Sequence, residues 1–320
     1  MPHLSTQEVE DVVATTLEYR IPTVVDNYYS ATPVFKILDM EERITADGGT
    51  RIEQPIIYDR PPDGSYRGPE SLDIARRKTK SLIQLDWKQY YSALTIDGLT
   101  RLRASGERAV IDLVDSELQG CELALKQDIG LDTWLDGTGN GGKALDGFDE
   151  IIATTGTYGG INRTTDPEGV AIRGNVDTTG GSFALAALQA MWGRATIGTA
   201  HPTIIATTQA MFDAIWARLQ PQQRYPLVGE RAGQLADAGF TVLMFNGVPV
   251  TVDQGIAAGT IYGINTNYVK VVAHQQRADL EVEGPLTPSN ADVRTWRIFW
   301  AGNFVCSSPR LQFRMTGLTA

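Results

Sequence analysis

One glycine-rich stretch has residue types that could bind a nucleotide. Residues 137–144 read Gly-Thr-Gly-Asn-Gly-Gly-Lys-Ala, which matches the GxxxxGK portion of a phosphate-binding loop. Ala144 stands where that loop needs Ser or Thr for Mg²⁺, and residues 131–136 are not the buried apolar strand that precedes such a loop. We therefore expect a surface loop here. A nucleotide-binding enzyme is the remote alternative.

The same stretch partly matches a calcium loop. Asp136, Thr138, Asn140 and Gly141 have the spacing of the first ligands, but Gly147 occupies the twelfth position, where a bidentate Glu belongs. Asp146 comes one residue early and has a shorter side chain. A weak ion site at Asp136–Asn140 is the most that this pattern allows.

The remaining chemistry-bearing residues form no recognisable catalytic set. His3, His201 and His274 are the only histidines, and none has another His or Cys at metal-ligand spacing. There is no GxSxG motif, and a Ser-His-Asp site has no support from the sequence, although the sequence does not exclude one. We expect no catalysis, no cofactor and no resident metal.

Composition limits the classes of function. The chain has 320 residues, a formal net charge of −10 and a pI of about 4.9. A protein that grips nucleic acid usually carries the opposite charge, since phosphates are bound by Lys and Arg. Cys121 and Cys306 form no CxxC motif and are expected to be reduced thiols. The first residues lack a signal-peptide pattern, and no apolar run approaches the ~20 residues that span a bilayer.

The first hundred residues are predicted to contain an unusual excursion. A capping box at Ser5 opens a helix through about Leu17, and residues 22–46 are predicted to form an arm with little periodicity. A strand over Thr50–Tyr58 follows, with Pro55 marking it as an edge strand. Residues 60–65 are turn-forming, and Ile83, Leu85 and Trp87 then alternate with polar residues. A two-stranded ribbon is marginal alone in water, so we expect it to pack on neighbouring chains.

A long amphipathic helix is predicted next, from Ser105 to about Ile129. One face of it collects apolar residues at helical spacing, with Gly130 as a plausible stop signal. The members of that face are Val110, Leu113, Val114, Leu118, Cys121, Leu125 and Ile129.

The rest of the chain is predicted to mix short strands and helices, so the fold class is α+β. Asn246-Gly247 is typical of a type I′ hairpin turn. The predicted elements are a strand over Ile151–Tyr158, a helix capped by Ser182, a strand over Thr203–Thr207, a helix over Gln209–Leu219, a hairpin over Gly239–Val252, strands at Ile261–Ile264, Tyr268–Val272 and Val293–Trp300, an interruption at Gly302-Asn303, and alternation at Leu311, Phe313 and Met315.

This order of arm, ribbon, long helix, mixed unit and returning strands resembles the major capsid proteins of tailed bacteriophages, with the Hong Kong-97 type shell fold. The residues that carry the resemblance are Gly48–Ile57 with Trp87–Tyr91, Asp136–Asn140 after the helix, Leu145–Phe148 and Gly302–Val305. Each match is weak alone, and the resemblance rests on their order along the whole chain.

The resemblance implies a fold divided into functional parts. These are an N-terminal arm (1–46), an extended E-loop hairpin with its flanking strand (47–98), a P domain with the spine helix (99–167), an A domain (168–280) and returning strands of the P and A domains (281–320). It also implies self-assembly as pentamers and hexamers into an icosahedral shell around double-stranded DNA, inside the virion, after assembly in the bacterial host cytoplasm. The alternative with the same fold is an encapsulin-like nanocompartment.

The resemblance further implies partners and contact residues. The chain itself, a scaffold, a portal and a decoration protein are the expected partners, with DNA enclosed but not specifically bound and no membrane involved. No long helical scaffolding segment precedes the arm, so either maturation removed one or a separate scaffold serves. The ribbon tip over 60–67 has no Lys, so a Lys–Asn crosslink from that tip is not expected. The candidate inter-subunit contacts are Tyr58, Arg60, Asp63, Tyr66, Arg67 and Trp87.

Overall fold

The computed structural model describes residues 32–103, 107–219, 243–288 and 290–320. The predicted helix at Ser5–Leu17 and residues 22–31 of the predicted arm lie outside these residues. Within them, the helices are α1 (Pro33–Glu41), α2 (Gly98–Arg103), α3 (Glu107–Asp132), α4 (Phe148–Ile151), α5 (Leu185–Ala195) and α6 (Gln209–Leu219), with 3₁₀ helices at Pro167–Ile172, Thr266–Tyr268 and Pro309–Leu311.

The strands of the described residues build two main sheets and three small pairings, which confirms the α+β class. They are β1 (Arg43–Ala46), β2 (Ile52–Ile57), β3 (Lys80–Leu85), β4 (Lys88–Asp97), β5 (Thr157–Tyr158), β6 (Ile161–Asn162), β7 (Asn175–Asp177), β8 (Gly181–Ser182), β9 (Ile204–Thr207), β10 (Leu243–Phe245), β11 (Val248–Val252), β12 (Ile261–Ile264), β13 (Val269–His274), β14 (Glu281–Leu286), β15 (Val293–Cys306), β16 (Phe313–Met315) and β17 (Leu318–Thr319).

The first sheet is organised around β15, which is 14 residues long. On one side β15 pairs antiparallel with β4, and on the other with β13 and then β14, while β1 lies parallel to β13. The predicted interruption at Gly302-Asn303 was wrong, because β15 runs straight through it. A Cβ at Gly302 would lie 2.6 Å from the carbonyl oxygen of Val272, so glycine permits close strand approach there.

The second sheet has the order β10-β11-β9-β12-β16-β7 and packs with α5 and α6 around a separate apolar core. The predicted strand β9 and helix α6 are confirmed, and β9 is buried along its whole length. The hairpin between β10 and β11 is also confirmed for its described part. Asn246 and Gly247 both have positive φ, at 50° and 79°, as a type I′ turn requires.

The long helix α3 is confirmed and spans 26 residues, or about 39 Å at ~1.5 Å per residue. The helix packs against β4, and Leu125 and Ile129 of its apolar stripe are buried. The predicted stop at Gly130 was wrong, because the helix continues to Asp132. Gly130 faces Thr32 beside α1, and a Cβ there would lie 2.5 Å from the Thr32 hydroxyl, so glycine serves helix packing.

Three further predictions were wrong for local reasons. Residues 22–46 include α1 and β1, and the helical spacing of the buried Val34, Phe35 and Leu38 in α1 was missed because that helix is only nine residues long. Ile151 ends the one-turn helix α4, and the predicted strand shrinks to the two residues of β5, since a short apolar run does not distinguish helix from strand. Ser182 belongs to β8 and does not cap α5, which begins at Leu185 after an extended Ala184.

Candidate inter-subunit surface

The ribbon is a two-stranded antiparallel hairpin. β2 and β3 pair in register from Ile52 opposite Leu85 to Ile57 opposite Lys80. The amide of Tyr58 then donates to the carbonyl of Thr79 at 3.1 Å, and no strand continues over residues 59–79. The predicted strand is thus confirmed as β2, and the predicted alternation is confirmed as far as Leu85, whereas Trp87 lies between β3 and β4. We call residues 59–79 the ribbon tip.

The base of the ribbon is anchored in its own chain, which corrects the expectation of an unsupported hairpin. Ile52, Ile56, Ile83 and Leu85 point to one side of the hairpin and are buried in the main apolar core. The amide of Gln84 also donates to the carbonyl of Gly159 at 2.9 Å. Neighbouring chains are therefore not needed to cover this inner face.

A second anchor lies where the ribbon passes the 3₁₀ helix at Pro167–Ile172. The carboxylate of Glu168 accepts a hydrogen bond from the Ser81 hydroxyl at 2.9 Å and pairs with the Lys78 ammonium at 3.3 Å. The pKa of Glu168 is lowered, first by a hydrogen bond from its own backbone amide and then by Ser81 and Lys78. This contact ties one limb of the ribbon to the 3₁₀ helix at Pro167–Ile172.

The outer face and the tip of the ribbon are exposed and apolar at several positions. Ile74 is 90% exposed and Leu72 is 56% exposed, and both lie in the tip between charged residues. Ile57, Leu82 and Tyr66 are exposed as well. Exposed apolar side chains mark a protein-interaction surface where they form one contiguous patch.

The structure places the six predicted contact residues at two locations. Arg60, Asp63, Tyr66 and Arg67 are exposed on the tip, and Tyr58 is half-buried where the tip begins. Their contacts with other subunits stay a prediction.

Trp87 lies apart from the tip, at the ribbon base. Its indole N–H donates to the carbonyl of Gly49 at 2.9 Å, and its ring meets His274 edge-on at 5.7 Å between centroids. Trp87 therefore braces the ribbon within its own chain, and any role between subunits stays a prediction. Sequence reasoning missed Leu72 and Ile74. Two apolar residues inside a charged, turn-rich stretch were the available signal.

The glycine loop is a tight turn pinned to the first sheet. Asn140 and Gly141 have left-handed φ values of 50° and 68°, and Gly142 accepts a hydrogen bond from the Lys88 ammonium at 2.7 Å. The loop follows the end of α3, so no strand precedes it as a phosphate-binding loop requires.

The carboxylate of Asp136 is engaged inside this loop. It accepts from the hydroxyl of Thr138 at 2.7 Å and from the Thr138 amide at 3.1 Å, and these bonds lower its pKa. Within the described part of the chain, no group of three or more His, Cys, Asp or Glu residues could hold a metal ion.

A polar cluster fastens the end of the loop. Asn303 of β15 donates to the carboxylate of Asp146 at 2.7 Å and to the carbonyl of Asp86 at 2.9 Å. The hydroxyl of Tyr90 donates to Asp132 at 2.6 Å and accepts from the amide of Leu145 at 2.9 Å. This arrangement joins α3, the loop and the first sheet.

No helix among the described residues is both long and apolar enough to cross a membrane.

Comparison with known proteins gives structural but not sequence matches. No protein-family model matches the chain, and no curated protein matches it in sequence. A cyanophage A-1(L) capsid subunit is similar at a TM-score of 0.70 and 15% identity, covering 95% of this chain and 97% of that one. The capsid of an empty GTA particle is similar at a TM-score of 0.62 and 12% identity, covering 92% of this chain and 99% of that one. The SrpI encapsulin of Synechococcus elongatus PCC 7942 is similar at a TM-score of 0.57 and 10% identity, covering 99% of this chain and 96% of that one. The helices, the two sheets and the projecting ribbon of this chain thus form the Hong Kong-97 type shell fold of tailed-phage capsid proteins.

Proposed function

We propose that this chain is the major capsid protein of a tailed bacteriophage. In this proposal, copies of the chain associate as pentamers and hexamers and close into an icosahedral shell around double-stranded DNA. The parts of the fold are those named above: arm (1–46), E-loop (47–98), P domain (99–167), A domain (168–280) and returning strands (281–320).

The observation that carries the proposal is the ribbon, which has an anchored base and an exposed apolar tip. The base buries Ile52, Ile56, Ile83 and Leu85 in its own core, whereas the tip leaves Ile74 90% exposed. In an isolated monomer the apolar side chains of the tip remain in contact with water and contribute nothing to stability. Copies that cover each other's tips bury this surface, and many modest contacts in a closed lattice bind firmly together.

The charge of the chain supports the proposal that the shell encloses DNA without binding it. With a net charge of −10, most of its surface repels DNA, so packaged DNA can move during filling. The proposal includes assembly in the bacterial host cytoplasm, residence in the virion, and scaffold, portal and decoration proteins as partners. It assigns no catalytic role to the chain, in keeping with structural neighbours that are shell proteins.

Electron microscopy of the protein expressed alone, and together with a scaffold protein encoded beside it, tests the proposal. The expected result is closed icosahedral shells, or free rings of five and six subunits. A monodisperse monomer or dimer under both conditions would contradict it.

A second candidate is an encapsulin-like compartment shell, which the similarity to the SrpI encapsulin favours. The two candidates share the fold and differ in their contents. Shells purified from the native source would contain DNA in the first case and a cargo enzyme in the second. The remote third candidate, a nucleotide-binding enzyme, requires ATP or GTP to bind the glycine loop, and titration calorimetry is expected to show no binding.

A further inference from the structure

The carboxylate of Asp146 lies between an amine and a carboxamide. One of its oxygens pairs with the Lys88 ammonium at 3.4 Å, and the other accepts a hydrogen bond from the side-chain nitrogen of Asn303 at 2.7 Å. Lys88 begins β4, and β15 runs antiparallel beside it with Gly302 opposite Lys88. Strand pairing thus brings two side chains that are far apart in the sequence to the same carboxylate.

The carboxamide of Asn303 is held in a way that makes its carbon electrophilic. Its oxygen accepts hydrogen bonds from the Phe304 amide at 2.8 Å and from the Asp146 amide at 3.2 Å. Two backbone N–H groups aimed at one carbonyl oxygen stabilise the negative charge that this oxygen gains when a nucleophile adds to the carbon. The nitrogen of the carboxamide also donates to the carbonyl of Asp86 at 2.9 Å, so the orientation of the group is fixed from both ends.

The amine of Lys88 is oriented and largely shielded from water. It donates to the carbonyl of Gly142 at 2.7 Å, and only 12% of the Lys88 side chain and 19% of the Asp146 side chain are exposed. Asn303 is fully buried. Taking two opposite charges out of water is costly, and a proton transfer from the ammonium to the carboxylate removes both charges at once. The transfer leaves a neutral amine, which is the nucleophilic form of lysine.

A second lysine shows what is specific to this arrangement. Lys78 also pairs with a carboxylate, that of Glu168, but the Lys78 side chain is 68% exposed. The third member of that contact is the Ser81 hydroxyl, which offers no carbonyl carbon. Lys78 therefore has an ion pair without an electrophile, whereas Lys88 has both.

We propose that Lys88 and Asn303 become joined by an isopeptide bond within one subunit, with Asp146 as the proton-transfer group. Asp146 takes a proton from the Lys88 ammonium, and the free amine adds to Cγ of Asn303. The attacking nitrogen then releases a second proton, and the Cγ–Nδ2 bond breaks. The leaving nitrogen departs as ammonium with both protons, and Asp146 is again a carboxylate.

The reaction needs one folded copy of the chain and no oxidant, cofactor or partner. Its product is a covalent bond between β4 and β15 beside the glycine loop, in the sheet that packs against α3. The inference therefore goes beyond the proposed function and does not depend on it.

Intact-mass spectrometry of the full chain tests the bond. The expected result is a subunit lighter than its sequence by the mass of one ammonia. Tryptic digestion should then give a branched peptide that joins residues 81–101 to residues 298–310, because trypsin does not cut at an acylated Lys88. Lys78 should remain a normal cleavage site. A subunit with the full mass of its sequence would overturn the inference.

Peptide mapping also separates the bond from another source of ammonia loss. Asn140-Gly141 and Asn246-Gly247 can each lose ammonia when the asparagine side chain closes a ring onto the glycine amide. If the loss maps to either of these pairs and the branched peptide is absent, the inference fails.

Three variants test the roles of the residues. Lys88→Arg keeps a positive charge beside Asp146 but cannot form the bond, so the full sequence mass should return. Asp146→Asn retains both reacting side chains and should slow bond formation about a hundredfold or more, the range of general acid–base catalysis. Lys143→Arg changes an exposed lysine of the same loop and, as the matched control, should form the bond like the wild type.

The outcomes distinguish this inference from the proposed function. If Asp146→Asn folds, judged by circular dichroism, and forms the bond as fast as the wild type, the role of Asp146 is wrong. Ammonia loss that persists in Lys88→Arg would exclude the bond itself. Shells built from subunits of full sequence mass would leave the proposed function standing without the bond. Bonded subunits that never assemble would support this inference and contradict the proposed function.

Discussion

At the scale of single residues, Asp253 is a buried carboxyl group with a strongly raised pKa. It is 1% exposed at the end of β11. Burial raises the pKa of Asp253 to about 6, and the hydrogen bond that the Gly255 amide donates at 3.0 Å opposes this only partly. Val34 in the first turn of α1 and Trp134 just after α3 also lie near this carboxyl, so it is located where three elements meet.

Asp253 should therefore make the stability of the subunit depend on pH. Its folded pKa lies above the unfolded value of about 3.9, so its contribution is complete below pH ~4 and is lost as the pH rises through about 6. We expect a loss of about 2–3 kcal/mol over that interval. Denaturant unfolding of dissociated subunits between pH 4.5 and 7.5 measures it, and Asp253→Asn should flatten the curve. An unchanged slope in the variant would contradict this assignment.

At the scale of elements, α3 offers a matched pair of glycines with opposite expected behaviour. A Cβ at Gly130 would collide with Thr32, whereas nothing lies within 4 Å of a Cβ at Gly120. Gly120→Ala should stabilise the subunit by about 0.5–1 kcal/mol through helix propensity. Gly130→Ala should destabilise it by about 1–2 kcal/mol, because overpacking outweighs the same propensity gain. Thermal or denaturant unfolding of both variants measures the two changes in stability. If both substitutions shift the stability in the same direction, the packing role of Gly130 is refuted.

The ribbon provides a second prediction at this scale. Glu168→Gln weakens the contacts with Lys78 and Ser81. The segment around Lys78 should therefore separate more often from the 3₁₀ helix at Pro167–Ile172. Tryptic cleavage at Lys78 and Lys80 in dissociated subunits should become about two- to fivefold faster, the range that a partly exposed ion pair supports.

Two internal comparisons make the Glu168 experiment specific. Cleavage at Arg67, in the middle of the tip, should not change. Glu281→Gln removes the charge of another ion-paired glutamate, whose partner is Arg277, and should leave cleavage at Lys78 and Lys80 unaffected. Equal acceleration at all sites would instead indicate general destabilisation of the subunit.

At the scale of the whole molecule, the shell should be held together without covalent links from residues 60–67 of the ribbon. These residues include no Lys, so they lack the amine for a bond with an Asn side chain. Mature particles boiled in detergent should therefore run as a single monomer band of 34.9 kDa on a denaturing gel. A ladder of dimers and larger species would contradict this expectation.

Much of this fold was predictable because local periodicity and turn chemistry act over a few residues. The apolar stripe of α3, the alternation leading to β3, the Asn246-Gly247 turn and the strand β9 were all predicted from such patterns, and their order pointed to the shell fold. The negative net charge argued against a protein that grips nucleic acid. The glycine loop lacks the preceding strand and the Ser or Thr of a nucleotide site, which argued against a nucleotide-binding enzyme.

Only the tertiary structure decided which faces of these elements meet. It showed that the ribbon base is buried in its own core, that Trp87 braces that base, and that Gly130 and Gly302 permit close packing instead of ending an element. It also brought Lys88 and Asn303 to the carboxylate of Asp146 and left Leu72 and Ile74 exposed. Such relations join residues far apart in the chain, and neither propensity nor spacing contains that information.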